Sequence, residues 1–229
     1  MPRRARISVA GLAHHIIQRG NNRSVCFYDD QDYRFYLKWL KEYSELCQCQ
    51  IHAYALMTNH VHLLVTPQTT DGVGLLMRRL GQRFVQYINR TYQRSGTLWE
   101  GRFKSSIAGE AAYVLGCYRH IESNPVRANI ISHPVEYHWS SYRTNAQGET
   151  NDFVVPHKFY LQLGEDRSLR QMNYRKLFRC HLEPGLVDEI LQATHGNYAL
   201  GTARFRCQLE AGLGRRVSRG RSGRPKKER

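Results

Sequence analysis

The stretch Ile51–Thr66, IHAYALMTNHVHLLVT, holds two apolar runs joined by the link Thr58-Asn59. Runs of this length bounded by a tight link read as strands, and so short a link predicts an antiparallel hairpin. Side chains alternate along a strand, so Val61, Leu63 and Val65 point one way and His60, His62 and Leu64 the other. Two imidazoles roughly 7 Å apart on one strand face can grip a cation or a phosphate. Neutral imidazole is the commonest metal ligand among side chains. A pair of half-buried histidines satisfied by hydrogen bonds would leave the same pattern, and a metal would need a third ligand from elsewhere.

Working outward, AHHIIQ at 13–18 reads as a strand running into the turn RGNNR. The segment from Asp29 to Gln48 repeats Tyr33, Tyr36, Leu37, Leu40 and Cys47 at helical spacing, with Asp29 or Asp30 as its N-cap. After Pro67, a second helix places Leu76, Leu80, Phe84 and Ile88 on one face and Arg79, Arg83, Gln86 and Arg90 on the other. TLWEGRFKSSIAG, from Thr97 to Gly109, reads as a turn and a strand. A third helix runs from Glu110 to about Ser123, where Pro125 disfavours helix in the residue before it. The order β-α-β-β-α-β and then a helix is that of the ferredoxin-like split βαβ. The expected class is α+β: a four-stranded antiparallel sheet with two helices on one face, a further helix, and a mainly helical C-terminal extension.

The chain divides into a main domain over 1–145, a connecting region over 146–182, a helical module over 183–214 and a basic tail over 215–229. The module reads as two helices split by a Gly-Asn turn, the second capped by Thr202. That suits a helix-turn-helix that binds DNA, or two helices packed back on the main domain.

Lys and Arg number 34 against 19 Asp and Glu, a formal net charge of +15 and a pI of about 9.8. A polyanion is the natural partner. No stretch is apolar enough to span a bilayer and no signal-peptide pattern opens the chain, so nucleic acid is favoured over a membrane and the cytoplasm is the expected compartment. From Gly214 onward the chain carries eight Lys or Arg and one Glu, or +7, which leaves +8 for the body. Its GRPKK, with Arg224, Lys226 and Lys227, suits a narrow A·T minor groove. The six cysteines lack paired C-x-x-C spacing and read as reduced cytosolic thiols, not a zinc finger.

A third metal ligand can come from the helix ending GCYRHIESNPVRAN. Residues four apart share a helix face, which pairs His120 with Asn124 and aligns Cys117 and Tyr113 further back. Tyr118 is rotated by about 200° from His120 and looks away, as does Glu122. An amide oxygen such as that of Asn124 suits a hard cation, Mg²⁺ or Mn²⁺.

With QRGNNR, MTNHVHLLVTP, GTLWEGRFKSS and NPVRA in place, the chain resembles the REP-associated tyrosine transposases, relatives of the single-tyrosine transposases of the His-hydrophobic-His class. The match is close from about His14 to Arg143, and the tail ending GRRV…GRPKK resembles the longer members. The resemblance implies a ferredoxin-like catalytic domain in which His60 and His62 bind a divalent metal, with Asn124 as third ligand. It implies DNA cleavage and rejoining, in which a helix tyrosine attacks a phosphate and leaves a 5′-phosphotyrosine link and a free 3′-hydroxyl. The implied partner is a REP stem-loop with single-stranded flanks, taken by a monomer.

The chain departs from that pattern where the tyrosine is expected: the family's RYIELNPVRA is RHIESNPVRA here. His120 as nucleophile, Tyr118 or Tyr113 in its stead, and a REP-binding protein that does not cleave are the competing readings. A nuclease that uses water is a further one. Arg19, Arg23, Arg78, Arg79, Arg83, Arg102 and Lys104 lie in the matching motifs or on the basic helix face and suit phosphate contact. Trp99 and Phe103 suit packing under the sheet, or stacking on unpaired bases. His14 and His15 receive no role.

Overall fold

The computed structural model describes residues 6–180 and 182–220. Strands β1 (Ala13–Arg19), β2 (Cys49–Met57), β3 (His60–Pro67) and β4 (Lys104–Ala108) form one sheet in the order β2-β3-β1-β4, each neighbouring pair antiparallel. Helices α1 (Asp30–Leu46) and α2 (Gly72–Thr91) pack together on one face. This is the expected split βαβ arrangement. One correction applies: Ala199–Leu200 pairs parallel with β4, which makes the sheet five-stranded and mixed. Two residues are too few to display alternation, so the sequence carries no sign of this strand.

The hairpin closes as expected, with Met57 opposite His60 and Ala55 opposite His62. Val61, Leu63 and Val65 join Ile16 in a core with Tyr36, Leu40, Leu76, Leu80, Phe84 and Ile88, all buried. Asp29 caps α1 by accepting from the Gln31 N–H (2.9 Å), and Asp32 reciprocates by accepting from the Asp29 N–H (3.1 Å). The buried Asp32 carboxylate also accepts from Tyr87 (2.8 Å) and Tyr92 (3.0 Å), tying α1 to the end of α2. Trp99 and Phe103 lie buried in this same core, with the Arg6 guanidinium 3.6 Å from the Phe103 ring.

The opposite face carries His60, His62 and Leu64. There α3 (Ala111–Glu122) lies on β2 and β3, brought close by the small side chains of Ala53 and Ala55. The helix stops at Glu122, and a new turn, α4 (Asn124–Arg127), begins with Pro125 in its first turn. Asn124 therefore stays one turn below His120. Helices α5 (Lys158–Leu161), α6 (Arg167–Lys176), α7 (Pro184–Gly196) and α8 (Ala203–Leu213) follow, with β5 (Ala199–Leu200) between the last two. Tyr160 and Tyr174 from α5 and α6 pack on Tyr118 of α3, while α7 lies across β4 and β1. The sheet's outer edge is covered too. The Leu56 and Val155 N–H groups donate to Trp139 (2.9 Å) and Ile51 (2.7 Å) carbonyls, so β2 offers little free edge to other chains.

Candidate metal centre and its basic pocket

Two strands and a helix converge on four histidines: His15 of β1, His60 and His62 of β3, and His120 of α3. Ring centroids lie 5.0 Å apart for His60 and His62, 5.5 Å for His62 and His120, and 5.4 Å for His15 and His120. Asn124 joins them, its Nδ2 3.0 Å from His62 Nε2. The three residues expected to hold a metal thus do come together.

The β2–β3 turn orients the first of them. His60 donates from Nδ1 to Asn59 Oδ1 (2.6 Å), and the Asn59 amide donates in turn to the Arg23 carbonyl (3.1 Å). That leaves His60 Nε2 with its lone pair. The turn that supplies Arg23 approaches this closely because residue 20 is glycine: a Cβ there would sit 2.2 Å from the Ser24 carbonyl oxygen and 2.5 Å from Cys26 Sγ.

All four imidazoles are held neutral. Burial, with Arg19 nearby, lowers His60 to about 4; burial lowers His15 to about 3 and takes His62 and His120 well below the usual range. Neutral imidazole is the form that ligates metals. Two imidazoles and an amide oxygen would make a mixed nitrogen and oxygen donor set of the kind that suits Mn²⁺ and admits Mg²⁺. Asn124 here turns its Nδ2 to His62, so its amide would rotate to offer the oxygen.

The same shifts make the fold acid-labile. His14, His52 and His157 are also lowered to about 4, chiefly by burial. Between the unfolded value of 6.5 and these folded values, the unfolded chain binds more protons, so stability rises with pH across that window and is lost below it. Buried Glu122 works oppositely: raised to about 7 by burial, it favours the fold most at low pH. One group against seven decides the sign. Acid unfolding followed by circular dichroism is expected with a midpoint at about pH 5 and several protons taken up.

His120 occupies the expected nucleophile position but is only 1% exposed. Arg127 donates from Nη1 to its Nδ1 (2.9 Å), which leaves the proton of the neutral ring on Nε2, a buried atom with no hydrogen-bond partner. One ring nitrogen from each of His15, His62 and His120 lies within 4.8 Å of the other two. Tyr118 is turned away, as its helical phase predicts: it is fully buried, stacks on Tyr160 and accepts from the His157 N–H (3.3 Å). Tyr113 lies two turns back, partly buried, beside Glu189. Glu122 also faces away. It accepts from Ser141 (2.5 Å), Tyr174 (2.6 Å) and Asn145 (2.8 Å), and so pins α3 from behind.

Of the basic residues singled out, Arg19, Arg102 and Lys104 line one small pocket of about 30 Å³, together with Glu100 and His195. Arg19 also pairs across the strands with His60, so this pocket adjoins the histidines. Arg23 is exposed at the turn that braces Asn59. Arg78, Arg79 and Arg83 are exposed on α2, across the sheet from the histidines, and Arg83 lies 5.4 Å from the Trp39 ring. Arg224, Lys226 and Lys227 lie outside the described residues.

Sequence reasoning missed His15, Arg127 and Thr194. The alternation that places His62 also governs His15, but only the β1–β3 register, with His15 opposite Leu64, brings the two together. Thr194 enters from α7, donating to the Ile190 carbonyl (2.7 Å) and lying 2.9 Å from His15 Nδ1.

A split βαβ sheet with a histidine pair, a helix amide and a small basic pocket on one face is a build suited to a protein that works on a polyanion such as DNA. The family model described as "Transposase IS200 like" matches residues 8–124, and the chain belongs to that family. Among solved structures it is similar to a REP-associated tyrosine transposase bound to a REP hairpin, at 15% identity and a TM-score of 0.57, over 69% of this chain and 93% of that one. At that identity the likeness concerns the fold. A structure from Deinococcus radiodurans R1, provisionally described as a transposase, matches at 21% identity and a TM-score of 0.37 over 56% of this chain and 92% of that one. No curated protein matches. Among the described residues, no helix is long and apolar enough to cross a membrane.

Proposed function

We propose that this chain binds hairpin DNA with single-stranded flanks, of the REP stem-loop class, as a monomer. On this reading it holds one phosphate at His60, His62 and Asn124 through Mg²⁺ or Mn²⁺. The observation that carries the reading is the convergence of the histidine pair on Asn124 beside Arg19, Arg102 and Lys104. A bound divalent cation would neutralise charge on the phosphate. The chain's own groups do the rest. His60 and His62 present neutral nitrogens, and Arg19, Arg102 and Lys104 lead the backbone toward them. Residues 1–145 would form the transposase-like unit, 146–182 its brace, and 183–214 a helical pair that adds DNA contacts. Arg23 and the tail with Arg224, Lys226 and Lys227 would extend the phosphate track, and Arg78, Arg79 and Arg83, across the sheet on α2, would hold a separate stretch of DNA backbone.

In tyrosine transposases of the resembling group, a side-chain oxygen attacks the phosphorus, forms a 5′-phospho link and expels the neighbouring 3′ oxygen. His120 holds that place here without a lone pair to use: Nδ1 accepts from Arg127 and Nε2 carries the proton. The reading is therefore of a transposase-derived binder whose covalent step is missing. Cleavage and rejoining through a His120 link is the second reading, supported by that residue's place inside the cluster, and it requires Arg127 to release Nδ1. A 3′-labelled REP oligonucleotide incubated with Mn²⁺ separates them. The expected result is a complex on a native gel and no protein-linked fragment on a denaturing one. A linked fragment would establish the second reading, and cleavage without a link would indicate attack by water.

A further inference from the structure

Thr194 lies beyond the residues matched by the family model, on a helix packed across the sheet, yet its hydroxyl ends a chain of hydrogen bonds that reaches His62. The chain can be followed one proton at a time. Thr194 has a single hydroxyl proton, and it is committed to the Ile190 carbonyl at 2.7 Å. Its oxygen then only accepts, from Ser106 Oγ at 3.0 Å and from His15 Nδ1 at 2.9 Å. His15 thus carries its proton on Nδ1 and keeps a lone pair on Nε2. That lone pair faces His62 Nδ1 at 3.0 Å, so His62 must be the donor. The two ring planes are within 8° of parallel, with centroids 5.3 Å apart, which fits rings meeting edge to edge through that bond. With its proton on Nδ1, His62 has its lone pair on Nε2, the nitrogen beside Asn124.

We infer that Thr194 and His15 are positioning residues that hold His62 in the one neutral form whose Nε2 can bind the cation. The inference rests on the proposed metal site and adds the C-terminal helix to it. Every link is buried: Thr194 and His15 are fully shielded and His62 is 3% exposed. Water therefore does not substitute for a missing partner without a rearrangement. The arrangement is the outer-shell device by which ligating histidines commonly donate their second N–H to a fixed acceptor. It matches in kind what Asn59 does for His60. Both expected histidine ligands thus have their proton placed before any cation arrives. One is set by the hairpin's own turn and the other by a helix far along the chain.

A valine at 194 keeps the shape of threonine and removes the acceptor, whereas serine keeps the acceptor. Two readouts on the full chain test the inference. Mn²⁺ affinity, followed by loss of the free-ion electron paramagnetic resonance signal, is expected to fall about 10- to 100-fold in Thr194→Val and to recover in Thr194→Ser. In the metal-free protein, long-range ¹H–¹⁵N spectra of the imidazoles are expected to report His62 protonated on Nδ1. That signature should weaken in Thr194→Val while the rest of the spectrum is kept. Equal Mn²⁺ affinity in wild type and Thr194→Val would overturn the positioning role, as would a His62 protonated on Nε2 in the wild type. A wild type that binds no Mn²⁺ but shows the Nδ1 proton would overturn the metal reading and leave the proton order standing.

Discussion

Replacing His120 with tyrosine is expected to create a DNA fragment linked to the protein through its 5′ phosphate where the wild type forms none. A phenol oxygen keeps lone pairs even while it accepts a hydrogen bond, so Arg127 would assist it where it silences an imidazole nitrogen. Covalent capture should rise on the order of a thousandfold or more, the scale on which an absent nucleophile limits an otherwise assembled site. Tyrosine is larger than histidine and the position is buried, so overpacking should cost about 1–3 kcal/mol. A thermal melt run alongside checks that His120→Tyr folds. Denaturing gels with Mn²⁺ and with a chelator then read the adduct, which should need the metal. A folded, DNA-binding His120→Tyr that forms no adduct would contradict the view that only the attacking group is missing.

Removing both strand histidines should act on the other half of the site. In His60→Ala/His62→Ala, Mn²⁺ affinity is expected to drop by about 100-fold or more, beyond the 10- to 100-fold typical of lost outer-shell partners. Removing the His62 ring leaves His15 Nε2 and Asn124 Nδ2 without their partners, so the variant should also lose stability, and a thermal melt run alongside checks that it folds. DNA binding should survive in part. Arg19, Arg102 and Lys104 remain, and their contribution is electrostatic, so the residual affinity should fall steeply with salt.

The hairpin was legible because period-2 alternation needs only local residues. His60 and His62 on one face, and Val61, Leu63 and Val65 under α1 and α2, follow from it directly. His120 and Asn124 were legible from helical phase, and the break at Ser123 preserved their alignment. What stayed hidden depends on register between distant strands or on packing. His15 reads as one of two adjacent histidines until pairing with β3 brings it to His62. Arg127 reads as one more basic residue until its guanidinium meets His120 Nδ1. Thr194 sits in a helix whose periodicity reveals a buried face but not which strand it covers, and β5 is too short to show any periodicity.

The central claim is that the histidine pair grips DNA phosphate through a divalent cation, and one titration tests it most directly. Fluorescence anisotropy of a labelled REP-type hairpin with a single-stranded flank is measured against the full chain, with Mn²⁺ and with a chelator, at fixed ionic strength. The wild type is expected to bind more tightly with Mn²⁺, and His60→Ala/His62→Ala to bind equally under both conditions. Identical wild-type affinity with and without Mn²⁺ would contradict the claim.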